Sequence, residues 1–168
     1  NVALIGRGNV ARGAYKTLSS LGANITVYDR KTEKLLREEI GLYDVVVNGV
    51  LWDVYRKDHI IYKDDLSRMK KNSLIIDISC DRAGGIETSI PTTIEEPVYA
   101  VEGVLHYVVD HAPSLISYSV SRSIGNELIK YIDDMIEEKT ENNDVLKKAL
   151  IIKEGIIIEQ KIIDFQNR

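Results

Sequence analysis

Val2-Ala3-Leu4-Ile5-Gly6-Arg7-Gly8-Asn9-Val10-Ala11 is the stretch that decides the fold. Four apolar residues run without alternation and stop at a glycine, as a strand buried on both faces of a parallel sheet does. Gly6 to Ala11 then spell G-x-G-x-x-A, and from Asn9 to Leu21 the apolar residues Val10, Ala14, Leu18 and Leu21 recur at helical spacing. Strand, glycine turn and helix in that order give the motif a physical meaning. Gly6 permits the tight turn, Gly8 leaves no side chain between the backbone and a pyrophosphate, and Ala11 lets the helix lie close to the strand. The helix start then faces an anion with unpaired N–H groups and the positive end of its dipole. The competing reading is a tight turn with no ligand.

Working outward, Gly22 suits a helix stop, and Ile25 to Tyr28 forms a second strand ending at Asp29, 21 residues after Gly8. That is the expected place for a carboxylate accepting from the adenosine ribose hydroxyls, and it weighs against the ligand-free turn. A carboxylate favours NAD because it repels a 2′-phosphate. Arg30 and Lys31 come directly after it and either neutralise such a phosphate or form a solvated helix start, so NAD and NADP both stay open.

A short charged helix is expected at about Lys31 to Arg37 and a third strand at Val45-Val46-Val47, with a loop from Gly49 to Ile61. A helix over Asp64 to Met69 and a fourth strand at Leu74-Ile75-Ile76 come next. A polar connection, Ser79 to Thr93, then leads to a fifth and sixth strand at Val98 to Val101 and Val104 to Tyr107. Strand alternating with helix predicts an α/β fold, a doubly wound parallel sheet of Rossmann type with helices on both faces.

Past Pro113 one long helix is expected from Ser117 to Glu138, then a polar break over Thr140 to Asp144. A second helix over Val145 to Ile152 and an apolar run from Gly155 to Ile158 complete the chain. We divide it into a dinucleotide-binding domain, 1–118, and a helical tail, 119–168, with little of its own to bury against. Asn1 leads straight into a strand with no initiator Met, so the expectation is a domain of a longer polypeptide whose remainder the tail packs on.

The loop after the fourth strand, Ile76 to Ser89, lies at the carboxyl edge of the sheet, where ligands bind in such folds. Gly84-Gly85 would let backbone approach a nicotinamide or a substrate. Asp81 is placed to orient the nicotinamide ribose or a substrate ammonium, although a lone loop Asp is also a common turn former. His106, after an apolar run, reads equally as a hydrogen-bonded core residue. His111, in the loop before Pro113, is a candidate for the nicotinamide side. No two histidines show metal-ligand spacing with a third ligand, so no metal is expected. Cys80 has no evident His partner to activate it.

Composition narrows the classes. The 168 residues are 44% hydrophobic and 29% charged with a formal net charge of −4, which describes a folded domain without a basic footprint for nucleic acid. One cysteine rules out an intrachain disulfide, and no apolar run is long enough to span a bilayer. Neither nucleic acid nor a membrane is expected as partner, and the expected location is cytoplasmic.

These residues resemble the alanine dehydrogenase and pyridine nucleotide transhydrogenase family over nearly the whole chain. The resemblance is carried by Ile5-Gly6-Arg7-Gly8-Asn9-Val10, Val27-Tyr28-Asp29-Arg30, Ile76 to Thr93 and Gly103-Val104-Leu105-His106-Tyr107. Val50-Leu51-Trp52-Asp53, Arg56 to Ile61 and His106 to Leu115 are most similar to the branch that condenses pyruvate reductively with the side-chain amine of ornithine, using NADPH. The resemblance implies a dinucleotide domain inserted into a catalytic domain, with the tail belonging to the latter and the substrate-binding Arg, Lys and acid–base His lying upstream. It implies a pyrophosphate turn at Gly6, Arg7, Gly8, Asn9, Val10 and Ala11, and a ribose acid at Asp29. Val50 and Leu51 would flank the adenosine, Asp81 would assist catalysis, and Val109 and Ala112 would lie on the nicotinamide side.

The implied activity is an oxidoreductase acting on a C–N bond with a 2-oxo acid and an amine as substrates, with a homo-oligomer left open. Alanine dehydrogenation and a non-catalytic dinucleotide-binding module are the alternatives. His111-Ala112-Pro113-Ser114 stands where alanine dehydrogenases carry Asn-Met-Pro-Gly, which argues against the first of these. Asp29 fits a strict NADPH preference poorly.

Overall fold

The computed structural model describes residues 1–53, 55–137 and 139–166, with the backbone alone for 165 and 166. The chain divides into two compact units, Asn1–Ala112 and Pro113–Arg168.

The first unit is built on a six-stranded sheet of order β2-β1-β3-β4-β6-β5. Its strands are β1 (Val2–Ile5), β2 (Ile25–Tyr28), β3 (Val45–Asn48), β4 (Leu74–Asp77), β5 (Val98–Val101) and β6 (Val104–Tyr107). All pairings are parallel except β5 with β6. Helix α1 (Asn9–Ser20) carries the chain from β1 to β2, and α2 (Glu33–Glu39) carries it back past β1 to β3. The strand order therefore reverses between the carboxyl ends of β1 and β3, which is where a doubly wound sheet opens a crevice.

Register places those ends level: Ile5 is opposite Asn48, and Asn48 opposite Asp77. Backbone bonds extend the ladder one residue further, from Gly6 N to Tyr28 O (2.9 Å), Gly49 N to Ile5 O (3.0 Å) and Ile78 N to Asn48 O (2.9 Å). One face of the sheet packs α1 over Leu4, Ala11 and Val47. The other covers Ile5, Tyr28, Leu36, Val46 and Ile75. Each large apolar side chain among them contributes roughly 1.5–3 kcal/mol by leaving water.

Four expectations about this unit need correction. The sheet is not wholly parallel, because only Glu102 and Gly103 separate β5 from β6. Both have positive φ (50° and 79°), as a two-residue hairpin turn of type I′ requires. So short a link permits only antiparallel pairing. Helix α2 starts at Glu33 rather than Lys31, because Asp29 and Thr32 first close a turn. Lys31 N donates to Asp29 Oδ1 (2.9 Å) and Asp29 N to Thr32 Oγ1 (2.9 Å). The expected helix over Asp64 to Met69 is a 3₁₀ turn, Lys63–Arg68, folded around the buried Asp65 carboxylate. No helix crosses between β4 and β5, so the expected covering of both faces is incomplete there.

In the second unit α3 (Ser117–Leu128) passes through a 3₁₀ turn at Ile129–Tyr131 into α4 (Ile132–Ile136), so the expected single helix is interrupted; its last residue, Glu138, lies outside the described residues. Helix α5 (Asp144–Ala149) is capped by Asn143, whose side-chain oxygen accepts from Val145 N and Leu146 N. The expected helix does not reach Ile152, because β7 (Ile152–Lys153) pairs with β8 (Ile156–Ile157) across Glu154-Gly155, both at positive φ. Helix α6 (Gln160–Gln166) was not expected. Ile124, Leu128, Ile132 and Ile136, the stripe read from the sequence, are exposed.

Candidate functional site

The glycine turn sits at the crevice between β1 and β3. Gly6 has φ of +110°, and a Cβ there would come 3.1 Å from the carbonyl oxygen of Gly49. Gly8 differs. It is the N-cap of α1 in extended geometry (φ −73°, ψ −174°), and a Cβ there would meet no atom within 4 Å. The space above Gly8 is thus open, and the absence of a side chain answers no demand of the protein's own packing. Among the described residues no side chain caps α1 and no acid stands in its first turn, so its leading N–H groups remain available to an anion.

Ala11 is buried, and the reason involves a residue that sequence reasoning missed. A Cβ on Gly49 would lie 3.3 Å from both the Cβ and the N of Ala11. Small residues on both sides let α1 approach the end of β3. The signal was present, since Gly49 directly succeeds the third strand as Gly6 does the first.

The N-terminus of α1 opens into a cavity of about 370 Å³ lined by Gly8, Asn9, Val10, Gly49, Val50, Leu51, Ile78, Ser79 and Asp81. A neighbouring recess of about 220 Å³ is lined by Gly6, Arg7, Asp29, Arg30, Glu33, Val50, Leu51, Trp52, Asp53 and Arg56. Val50 and Leu51 border both. The Asp29 carboxylate accepts Lys31 N on Oδ1 (2.9 Å) and pairs through Oδ2 with Arg7 Nε at 3.1 Å. The Lys31 amide, ahead of Arg7, holds its carboxyl below the usual range.

Asp81 is held beside the cavity by Ser79, whose hydroxyl lies 2.5 Å from Asp81 Oδ2 and 2.8 Å from Val50 O. Beneath it is a buried network that the sequence did not announce. Asp77 Oδ1 accepts from Asn48 Nδ2 (2.8 Å) and Ser79 N (3.1 Å), Asp77 Oδ2 accepts from the Ser89 hydroxyl, and Asn48 Oδ1 accepts from Val50 N (3.3 Å). These bonds tie together the two loops that line the cavity. Burial pushes the Asp77 carboxyl up, against the lowering effect of these donors.

The glycine pair meets a packing demand of the protein itself. A Cβ on Gly84 would lie 2.5 Å from Asp81 Cβ, and one on Gly85 3.2 Å from Trp52 Cε3. A side chain at either position would crowd the protein's own Asp81 or Trp52. Trp52 is covered by the Arg56 guanidinium, 4.5 Å from the ring centroid.

The third group of candidates lines neither cavity. Val109 is buried, and its carbonyl accepts the Cys80 thiol at 3.4 Å. His111, at φ +63°, is exposed with Nδ1 2.7 Å from Asp110 Oδ1, and Ala112 is half-buried beyond it. His106 is a core residue: fully buried, stacked on Tyr99, with Nε2 2.8 Å from Thr88 Oγ1. Cys80, also at positive φ, has its thiol pushed up to about 11, chiefly by burial and then by Asp77 and Asp110. No metal-binding cluster of His, Cys, Asp or Glu occurs among the described residues.

A reversing parallel sheet with a glycine turn and an uncapped helix start at its switch point defines a doubly wound domain of Rossmann type. Residues 30–160 match the family model described as alanine dehydrogenase/PNT, C-terminal domain, and the chain belongs to that family. It is 34% identical over 131 residues to the N(5)-(carboxyethyl)ornithine synthase of Clostridium botulinum, covering 78% of this chain and 41% of that protein. It is 32% identical over 135 residues to alanine dehydrogenase 1 of Staphylococcus aureus, covering 78% and 36%. Among solved structures an L-alanine dehydrogenase superposes with a TM-score of 0.82 at 21% identity, over 99% of this chain and 53% of that one, which shows the fold. The chain thus spans about two-fifths of the curated relatives it matches.

Proposed function

We propose that this chain is the NAD(P)-binding part of an amino-acid oxidoreductase acting on a C–N bond, whose reaction is the reductive condensation of pyruvate with the side-chain amine of ornithine. The observation that carries the dinucleotide reading is the open space above Gly8, facing the uncapped start of α1 with Asp29 in the adjoining recess. The matches to carboxyethyl-ornithine synthases support the choice of reaction.

When bound, the nicotinamide supplies the hydride. The chain's own residues hold and orient it. The amides at Asn9, Val10 and Ala11 face the pyrophosphate, Asp29 takes the adenosine ribose, and Val50 and Leu51 flank the adenosine. Asp81, fixed by Ser79, lies on the nicotinamide side, with the Val109, His111 and Ala112 segment beyond it. Asp81 there positions the ribose or the substrate amine. In this reading residues 119–168 pack on a catalytic domain that supplies the substrate-binding and acid–base groups, and the protein works in the cytoplasm. The present chain binds coenzyme and turns nothing over.

The test is an initial-rate assay of the full-length parent, pairing pyruvate with ornithine, lysine or ammonia, and NADH with NADPH. The proposal expects turnover to require an amino-acid amine. Equal rates with ammonia alone would assign it to alanine dehydrogenation instead, and no turnover together with coenzyme binding would assign it to a non-catalytic module.

A further inference from the structure

We propose that Arg7, between the two glycines, is the residue that sets coenzyme choice: it shields the Asp29 carboxylate and joins Arg30 in binding a 2′-phosphate, so that the recess takes phosphorylated as well as unphosphorylated dinucleotides. The inference rests on the dinucleotide reading above.

Six ionic side chains line the recess: Arg7, Arg30 and Arg56 against Asp29, Glu33 and Asp53. Two of them are committed to each other. Arg56 is only 14% exposed and forks onto Glu33 through Nη1 (3.0 Å) and Nη2 (2.9 Å), while its Nε and Nη2 meet Asp58 at 2.8 and 2.7 Å. Its face lies on Trp52. So engaged, Arg56 shapes the wall and has little left to offer a ligand. Asp53 Oδ1 is turned to Tyr55 N at 3.1 Å.

Coenzyme choice therefore falls to Arg7, Arg30 and Asp29. A bare carboxylate at the end of β2 selects the free ribose diol and repels a phosphate. Here one oxygen already accepts the Lys31 amide and the other faces Arg7 Nε at 3.1 Å. Arg7 has further N–H donors in its planar fork and is 69% exposed, so it can hold Asp29 and meet an incoming phosphate together. For a free diol the same pairing is a competitor, because Arg7 must yield its oxygen to a hydroxyl. Arg30, exposed and adjacent to Asp29, adds a second positive charge.

The experiment measures Kd for NADH and NADPH with the wild-type chain and with Arg7→Ala, monitored by quenching of Trp52, which borders the recess. The wild type is expected to bind the two within about tenfold. Arg7→Ala is expected to weaken NADPH about tenfold, the size of one charge-assisted bond, and to tighten NADH about twofold. Displacement of NADH by 2′-phospho-ADP-ribose on the wild type gives a check that needs no variant. Equal weakening of both coenzymes by Arg7→Ala would overturn the proposal while leaving the dinucleotide reading intact, as would a wild type that excludes NADPH and 2′-phospho-ADP-ribose. Failure to bind either coenzyme would overturn both.

Discussion

Gly8→Ala separates what the fold needs from what a dinucleotide needs. Gly8 sits at φ −73°, ψ −174°, a conformation alanine adopts without strain, and its new methyl group would meet no atom within 4 Å. Replacing glycine at a compatible position gains roughly 0.4–1 kcal/mol by narrowing the unfolded ensemble. Alanine is a poorer N-cap than glycine, which returns about the same amount. The net change in stability is expected within about 1 kcal/mol of zero. Binding should behave otherwise, because the methyl group fills the space through which a pyrophosphate approaches the amides of α1. A loss of about ten- to a hundredfold in affinity, or roughly 1.4–2.8 kcal/mol, is expected. Urea unfolding of the free chain reads the first quantity and titration with NADH the second. Unaltered affinity, or a stability loss above about 2 kcal/mol, would refute the assignment of that space to a ligand.

Gly6→Ala should do the reverse: a φ of +110° and a Cβ 3.1 Å from the Gly49 carbonyl predict a loss of about 2–4 kcal/mol in the same unfolding assay without ligand, and an unchanged curve would contradict the geometry. Burial keeps the Asp77 proton on the folded chain above the unfolded carboxyl value of about 3.9, so this group's contribution to stability is full below that pH and is lost as pH rises through its higher folded value. Asp77→Asn, whose amide can donate to the Ser89 hydroxyl, should remove that downward component above the unfolded carboxyl value, and superimposable stability–pH curves would show that Asp77 is not its source. Cys80, with its thiol pushed up to about 11, should react with iodoacetamide at pH 8 at least about tenfold more slowly than a free cysteine; a comparable rate would mean that the thiol is neither buried nor surrounded by carboxylates.

Local signals carried the strand–turn–helix unit, Asp29 and the strands themselves, since each depends on spacing within a few residues. Asn48 and Asp77 escaped notice because they are polar residues at the ends of apolar strands, and only the sheet register brings them within 2.8 Å. Arg56 and Glu33, 23 residues apart in sequence and on a loop and a helix start, are likewise brought together only by the tertiary fold. The direction of β5 was legible in its two-residue link to β6 but was overridden by the alternating pattern upstream. Gly84-Gly85 gave only part of its meaning in the sequence. Glycine marks a close approach without saying what approaches, and here it is Trp52 and Asp81. The interruption of the long helix at Ile129–Tyr131 has no glycine or proline to mark it, and we find no physical account of it in the residues themselves.

Amide chemical shifts of the isotope-labelled chain during titration with NADH test the central claim most directly. The largest changes should fall on Gly8, Asn9, Val10 and Ala11, with smaller ones at Asp29 and Gly49 to Leu51. Shifts confined to other parts of the sheet, or none at saturating coenzyme, would contradict the account.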